Sequence, residues 1–220
     1  MTARRLGGFA LTTLIAMSAA PLVAQDAVAP EPAAQAAAVT PAAAPLRLAL
    51  QPESKIWFKG GSTVRDFECQ ATSLAGTFAV ELATGQVDVA ALGSATAQVA
   101  LDIPVAQIDC GNGTMNDHMR KALRADERPT IHFRYGGHEV VANPGGGTSL
   151  KISGWLTISG EERVVALEAA ATAEDAETLR VVGSYELDMT EYGVKPPKLM
   201  LGTLKVHDKV TVHYDLVLRP

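Results

Sequence analysis

The sequence predicts an all-β domain: about eight antiparallel strands with one short helix inserted before the middle strands. Three observations carry this. Apolar residues recur at every second position in long segments. Val210, Val212, Tyr214, Leu216 and Leu218 alternate with Lys209, Thr211, His213 and Asp215. Leu179, Val181, Tyr185 and Leu187 do the same against Arg180, Ser184 and Glu186, as do Leu150, Ile152, Leu156 and Ile158 against Lys151, Ser153 and Thr157. Successive strand side chains point to opposite faces, so each segment has one apolar and one polar side. The second observation is a set of turn signals at hairpin spacing, the strongest being Asn143-Pro-Gly-Gly-Gly147. The third is that only one stretch carries a helical stripe.

The elements follow in order. Strands at 47–50 and 55–60 are expected to form a first pair, broken by Gly60-Gly61-Ser62. A long extended segment at 67–82 places Leu74, Gly76, Phe78, Val80 and Leu82 on one face, and Thr84-Gly85 turns the chain. Ala97, Val99, Leu101 and Ile103 share a face at 96–103, which Pro104 ends. The helix follows. Thr114 is its expected cap, with Asp117 three positions on. Met115, Met119 and Leu123 form its apolar stripe. After Pro129, Ile131, Phe133 and Tyr135 alternate with His132 and Arg134. Strands at 149–159, 163–172 and 178–189 come at hairpin spacing, 190–205 lacks periodicity, and 207–218 is the last strand. Such a set closes into a barrel or stacks as a sandwich. The scarcity of edge-protecting features favours closure.

The chain has 220 residues. Arg4 and Arg5 precede an apolar run at 6–20 followed by small residues, the layout of a secretory signal peptide with cleavage after Ala24. Residues 25–45 are mostly Ala and Pro and read as a flexible linker. The folded domain is therefore expected at 46–220. The formal charge of −5 becomes −7 once Arg4 and Arg5 are removed. An acidic domain without a basic stripe argues against nucleic acid as a partner. Cys69 and Cys110 are expected to form a disulfide in an exported protein, the alternative being two free thiols.

No metal site or catalytic centre is expected. His132 and His138 are six residues apart, as are His207 and His213. Six extended residues span roughly 20 Å, too far for one ion. No GxSxG, GxGxxG or P-loop occurs. The candidate chemistry is the apolar interior itself. Phe58, Phe78, Val80 and Phe133 face it from the early strands, and Leu156, Ile158, Leu167, Tyr185, Leu187 and Val212 from the later ones. That interior is either an ordinary core or a cavity. Leu199-Met200-Leu201, beside Lys195-Pro-Pro-Lys198, resembles a lid or rim.

Several blocks together resemble the YceI-like, polyisoprenoid-binding family. They are Ser54-Lys-Ile-Trp-Phe58; Met115-Asn-Asp-His-Met-Arg-Lys-Ala-Leu123 followed by Arg128-Pro-Thr-Ile-His-Phe133; Gly154-Trp-Leu-Thr-Ile-Ser-Gly160; and Met189-Thr-Glu-Tyr-Gly193. Met189 stands where that family usually carries Arg. The resemblance implies an extended antiparallel lipocalin-like barrel in the periplasm, or secreted. It implies no enzymatic activity and no cofactor other than a bound isoprenoid lipid or quinone. The inward residues named above, with Met119 and Met189, become expected cavity lining. Lys195 and Lys198 are the candidate headgroup rim, the alternative being a solvated turn. The expected partner is a hydrophobic small molecule, which leaves room for transient membrane contact and for a homodimer. The competing reading is a stress-related interaction module with a filled core.

Overall fold

The computed structural model describes residues 44–142, 148–199 and 204–220. The expected signal peptide, all of the linker except its last two residues, and the Asn143–Gly147 turn lie outside these residues. So do Met200 and Leu201 of the expected lid. The strands are β1 (Leu46–Leu50), β2 (Lys55–Ser62), β3 (Phe67–Ala71), β4 (Ala75–Leu82), β5 (Thr96–Pro104) and β6 (Ile108–Asp109). After helix α1 (Gly113–Ala122) come β7 (Thr130–Ala142), β8 (Thr148–Ile158), β9 (Glu161–Ala173), β10 (Leu179–Asp188), β11 (Lys198–Leu199) and β12 (Leu204–Arg219).

The sheet runs β4–β5–β7–β8–β9–β10–β12, and β1 closes it by pairing with both β4 and β12. The result is an eight-stranded antiparallel barrel. Along the edge away from β10, strand β12 is long enough to serve two partners. Leu218 and Arg219 pair with β1, while residues from Val206 to Asp215 pair with β2. Strand β2 then carries β3 and β6 as an extension at one end of the barrel.

Two expectations are corrected here. The segments at 47–50 and 55–60 do not pair with each other; both lie along β12. The stretch 67–82 is two strands, β3 in the extension and β4 in the barrel wall. Alternation reveals which face a side chain takes. It does not reveal which distant strand supplies the hydrogen bonds.

Two apolar clusters hold the barrel. Leu48, Leu82, Leu179 and Leu218, each 1–2 % exposed, anchor the end that β1 closes. Fully burying a side chain of this size contributes about 1.5–3 kcal/mol. A 3-10 turn at Val89–Ser94, capped by Asp88, sends Leu92 into the same cluster. At the other end Ile158, Leu187, Tyr192, Val194 and Val210 pack together. Among the described residues no helix is long and apolar enough to cross a membrane.

On the outer face Arg180 makes a two-pronged contact with Asp215, at 2.8 and 2.7 Å, and reaches Glu174 at 3.0 Å. Hydrogen bonding from Arg180 holds the Asp215 carboxyl below the usual carboxylate range. A depressed folded pKa means stability that is complete above the unfolded value near ~3.9 and is lost as pH falls through the folded value. Arg180 is 43 % exposed, so solvent screening keeps the contribution of the pair small. Asp215→Asn is expected to lower stability slightly at pH 7. Urea titrations of both proteins should show the gap narrowing as the pH falls below the unfolded value; a gap that does not narrow in acid contradicts the assignment.

Candidate functional site: two cavities on either side of a packed plug

The barrel interior holds a cavity of about 190 Å³. Every second residue of β5 faces it: Ala97, Val99, Leu101 and Ile103. Strands β4, β7, β8, β9, β10 and β12 complete the wall by the same period-two rule. The wall presents no polar surface to the cavity. An apolar cavity of comparable size (about 150 Å³) stays dry and accepts a small hydrocarbon.

Strand β7 shows how the wall keeps its polar atoms out of the way. Its register against β8 shifts between Tyr135 and Gly137, so Gly136 forms a bulge. A Cβ on Gly136 would stand 2.7 Å from the Trp155 ring, which explains the glycine. The extra residue inverts the parity of the strand. Phe133 and Tyr135 point inward before it and His138 after it. His138 Nε2 donates to the Leu92 carbonyl at 2.7 Å, because a carbonyl only accepts. Its Nδ1 then accepts from the Tyr135 hydroxyl at 2.5 Å. Both polar groups are satisfied by the wall, and the pair ties β7 to the 3-10 turn that covers the closed end.

Tyr214 is satisfied in a similar way. Its ring lies over Gly183 of β10, where a Cβ would come within 2.4 Å of the hydroxyl oxygen. The hydroxyl passes that gap and donates to the Glu168 carbonyl of β9 at 2.7 Å. Burial pushes the Tyr214 pKa up to about 12 and also raises those of Tyr135 and Tyr185. These phenols stay neutral at physiological pH, which suits a binding wall and offers no general base.

A second cavity, of about 240 Å³, lies beneath α1. Phe58, Phe67 and Val206 line it from the sheet, Met115, Met119 and Leu123 from the helix, and Met189 and Pro197 from the segment after β10. The helical stripe read from the sequence is therefore the roof of this cavity. Its cap is Asn112 rather than Thr114: Asn112 Oδ1 accepts from Met115 N at 3.1 Å, and Thr114 lies inside the helix. Asp117 pairs with Arg120 instead of completing a capping box. Asn116 fixes the entry by accepting from Cys110 N and donating to Asp109. The Cys69–Cys110 disulfide joins β3 to this entry and forms part of the wall.

Between the two cavities sits a plug. Leu156, Tyr185 and Val212 face the barrel cavity and Phe58 and Met189 face the helix cavity, while Ile158, Leu187 and Val210 fill the space between. Phe58 stands opposite Val212 in the β2–β12 register and meets Phe67 edge-on at 6.4 Å.

The residues expected to line a cavity thus divide three ways. Phe78, Val80, Phe133, Leu156, Leu167, Tyr185 and Val212 lie on the barrel cavity. Phe58, Met119 and Met189 lie on the helix cavity. Ile158 and Leu187 belong to the plug and face neither. Lys195 is exposed beside a separate open cleft, and the Lys198 side chain is outside the described part. Sequence reasoning missed Tyr192 and Val194, 1 % and 3 % exposed, because they flank a left-handed Gly193 in a segment without strand period. It missed His138 because nothing but the Gly136-Gly137 pair signals the bulge.

The remaining histidines are dispersed. His132 bonds Asp102 at 2.7 Å, His213 stacks on Trp57, and His118 lies at the edge of the helix cavity. Among the described residues no three His, Cys, Asp or Glu side chains converge on a metal position.

The profile of the YceI-like domain family matches residues 50–218. Among solved structures, BcnA from Burkholderia cenocepacia is 20 % identical over 74 % of this chain and 95 % of its own, with a TM-score of 0.59. A polyisoprenoid binding domain from Saccharophagus degradans, implicated in plant cell wall breakdown, is 14 % identical over 79 % and 98 % with the same TM-score. The YceI protein of Campylobacter jejuni is 14 % identical over 69 % and 84 %, with a TM-score of 0.52. At these identities the likeness is one of fold. No curated protein sequence matches this chain.

Proposed function

The chain belongs to the YceI-like family, and we propose that it is a non-enzymatic binding protein, exported to the periplasm, that shelters the tail of an isoprenoid amphiphile. The observation that carries this reading is the wholly apolar wall of the barrel cavity, whose Tyr135, His138 and Tyr214 polar atoms are all turned into internal hydrogen bonds. Such a wall offers a guest no polar partner, and each CH₂ it takes from water contributes about 0.8 kcal/mol. The Saccharophagus domain, described as binding polyisoprenoids, supports the choice of guest.

The two cavities suggest the route. Together they reach the lower part of the range of about 300–1,000 Å³ usual for small-molecule sites. A long tail entering beneath α1 reaches the barrel cavity only where the packing of Ile158, Leu187 and Val210 in the plug gives way. The open volumes argue against the filled-core alternative.

Ala97→Phe tests the reading. Ala97 is a small side chain on the barrel cavity, so a phenyl ring there occupies the space a tail would use. The variant is expected to fold and to lose bound lipid. Organic extraction and mass spectrometry should find a stoichiometric amphiphile with the native protein and none with the variant. Repeated extraction of no amphiphile from the native protein, with no uptake of added farnesol, overturns the reading.

A further inference from the structure

The sequence carries six methionines, and Met115, Met119, Met189 and Met200 follow the expected signal peptide. Met200 lies outside the described residues. The other three all line the cavity beneath α1. None lines the barrel cavity. Methionine is a flexible gap-filler, and an adaptable wall for a tail is the ordinary use of such side chains. The barrel cavity would need them as much, so their concentration in one cavity calls for another reason.

The fold brings these sulfurs within reach of one another. Met115 and Met119 are four residues apart on α1, so their Cβ atoms stand on one face about 5–6 Å apart. Met189 comes from the turn after β10 and packs, with Leu123, against the plug. Three rotatable bonds let each thioether turn toward a common point inside a space of about 240 Å³. His118 lines the same cavity from between the two helix methionines. Its ring makes no hydrogen bond or ion pair among the described residues, whereas protein groups hold His132 and His138.

These donors are three thioethers and one imidazole, all without negative charge. No Asp or Glu lines the cavity, and Cys69 and Cys110 are closed in a disulfide, so no anionic donor joins them. Such a set is poor for calcium or magnesium, which take oxygen ligands, and for zinc, which takes thiolate, imidazole and carboxylate. It suits a soft ion of low charge. Arg65 also lines the cavity and repels a monovalent ion less than a divalent one.

We propose that Met115, Met119, Met189 and His118 form a binding site for a soft monovalent metal ion of the Cu(I) type. Helix α1 is fixed at one end by the disulfide and at the other by Ser159, so three of the four donors sit on a held roof. The inference goes beyond the carrier reading and does not depend on it.

Ag(I) is the probe, because it shares the charge and softness of Cu(I) and needs no reductant that would open the disulfide. The native protein, carrying isotope-labelled methionine methyl groups, is titrated by calorimetry and by NMR. One Ag(I) should bind per chain, with the Met115, Met119 and Met189 methyl resonances shifting together and saturating at one equivalent. Zn(II) should leave them in place. Met115→Leu/Met119→Leu/Met189→Leu conserves volume, so it should fold and lose the one-to-one binding. His118→Gln should weaken the binding with the stoichiometry unchanged. Methyl resonances that stay in place with Ag(I) overturn the inference, and they decide it in the native protein even if the triple variant does not fold. A folded triple variant that binds Ag(I) as tightly as the native protein also overturns it, by placing the ion on other side chains. Equal shifts with Zn(II) overturn the soft-ion assignment.

Discussion

Leu187→Asp is expected to unfold the plugged end of the barrel, not simply to empty a lipid site. Leu187 is 4 % exposed and packs with Ile158, Tyr192, Val194 and Val210. None of these carries a positive charge to neutralise a carboxylate, and its partner across the β10–β12 ladder is Val210. The substitution removes an apolar side chain and strands a charge that must either be buried or take up a proton. Either route costs more than about 4 kcal/mol, the range reserved for unpaired buried charges and large core lesions. For a domain of this size that is a fall of roughly 8–16 °C in Tm.

Thermal and urea melts should therefore show lost or weakened cooperativity in Leu187→Asp. The volume-conserving Leu187→Met should stay within about 1.5 kcal/mol of the native protein. Ala97→Phe makes the contrast sharp, since it projects into open volume and should melt like the native chain. A Leu187→Asp protein with an unchanged melting curve and no bound lipid would place Leu187 on the ligand surface instead of in the plug.

That contrast marks how far the sequence could be read. The period-two pattern correctly placed Val99, Leu101, Phe133, Tyr185, Leu187 and Val212 inside, because strand geometry forces that alternation. It could not separate Leu187 from Tyr185, two residues along the same face. Whether an inward side chain meets open space or another side chain depends on what projects from the far side of the barrel. Tyr192 and Val194 decide that for Leu187, and they come from a 3-10 turn and the aperiodic stretch after it. The β1–β2 exchange along β12 and the bulge at Gly136 escaped for a related reason: both are settled by non-local register. The motifs around the helix and around Gly154 showed more, since they identified the family without resolving any of these contacts.

Cutting the Cys69–Cys110 disulfide is expected to have the second large effect. The bridge closes a sequence separation of 41 residues. In the chain-entropy model that is worth about 4 kcal/mol, gained by restricting the unfolded chain. Cys69→Ala/Cys110→Ala is the appropriate variant. Cys69 is 1 % exposed, so serine there would bury an unpaired hydroxyl. The urea midpoint should fall accordingly, and dithiothreitol should reproduce the loss in the native protein.

The position of the bridge predicts a local effect as well. No residue of α1 is buried, so the helix is held mainly at its two ends. At its far end Arg124 donates to the Ser159 carbonyl, and Ser159 Oγ donates to the Leu123 carbonyl at 3.0 Å. At its near end the disulfide and the Asn116 contacts hold Cys110 and Asp109. Without the bridge the near end keeps only the two Asn116 hydrogen bonds, one part-buried and one exposed, while the β7–β8–β9 ladder is untouched. Amide exchange in α1 should therefore accelerate beyond what the global loss of stability explains, with β8 and β9 changing only by that global amount. Equal acceleration in α1 and the barrel strands would mean that the bridge acts on the unfolded chain alone and does not hold the roof of the helix cavity.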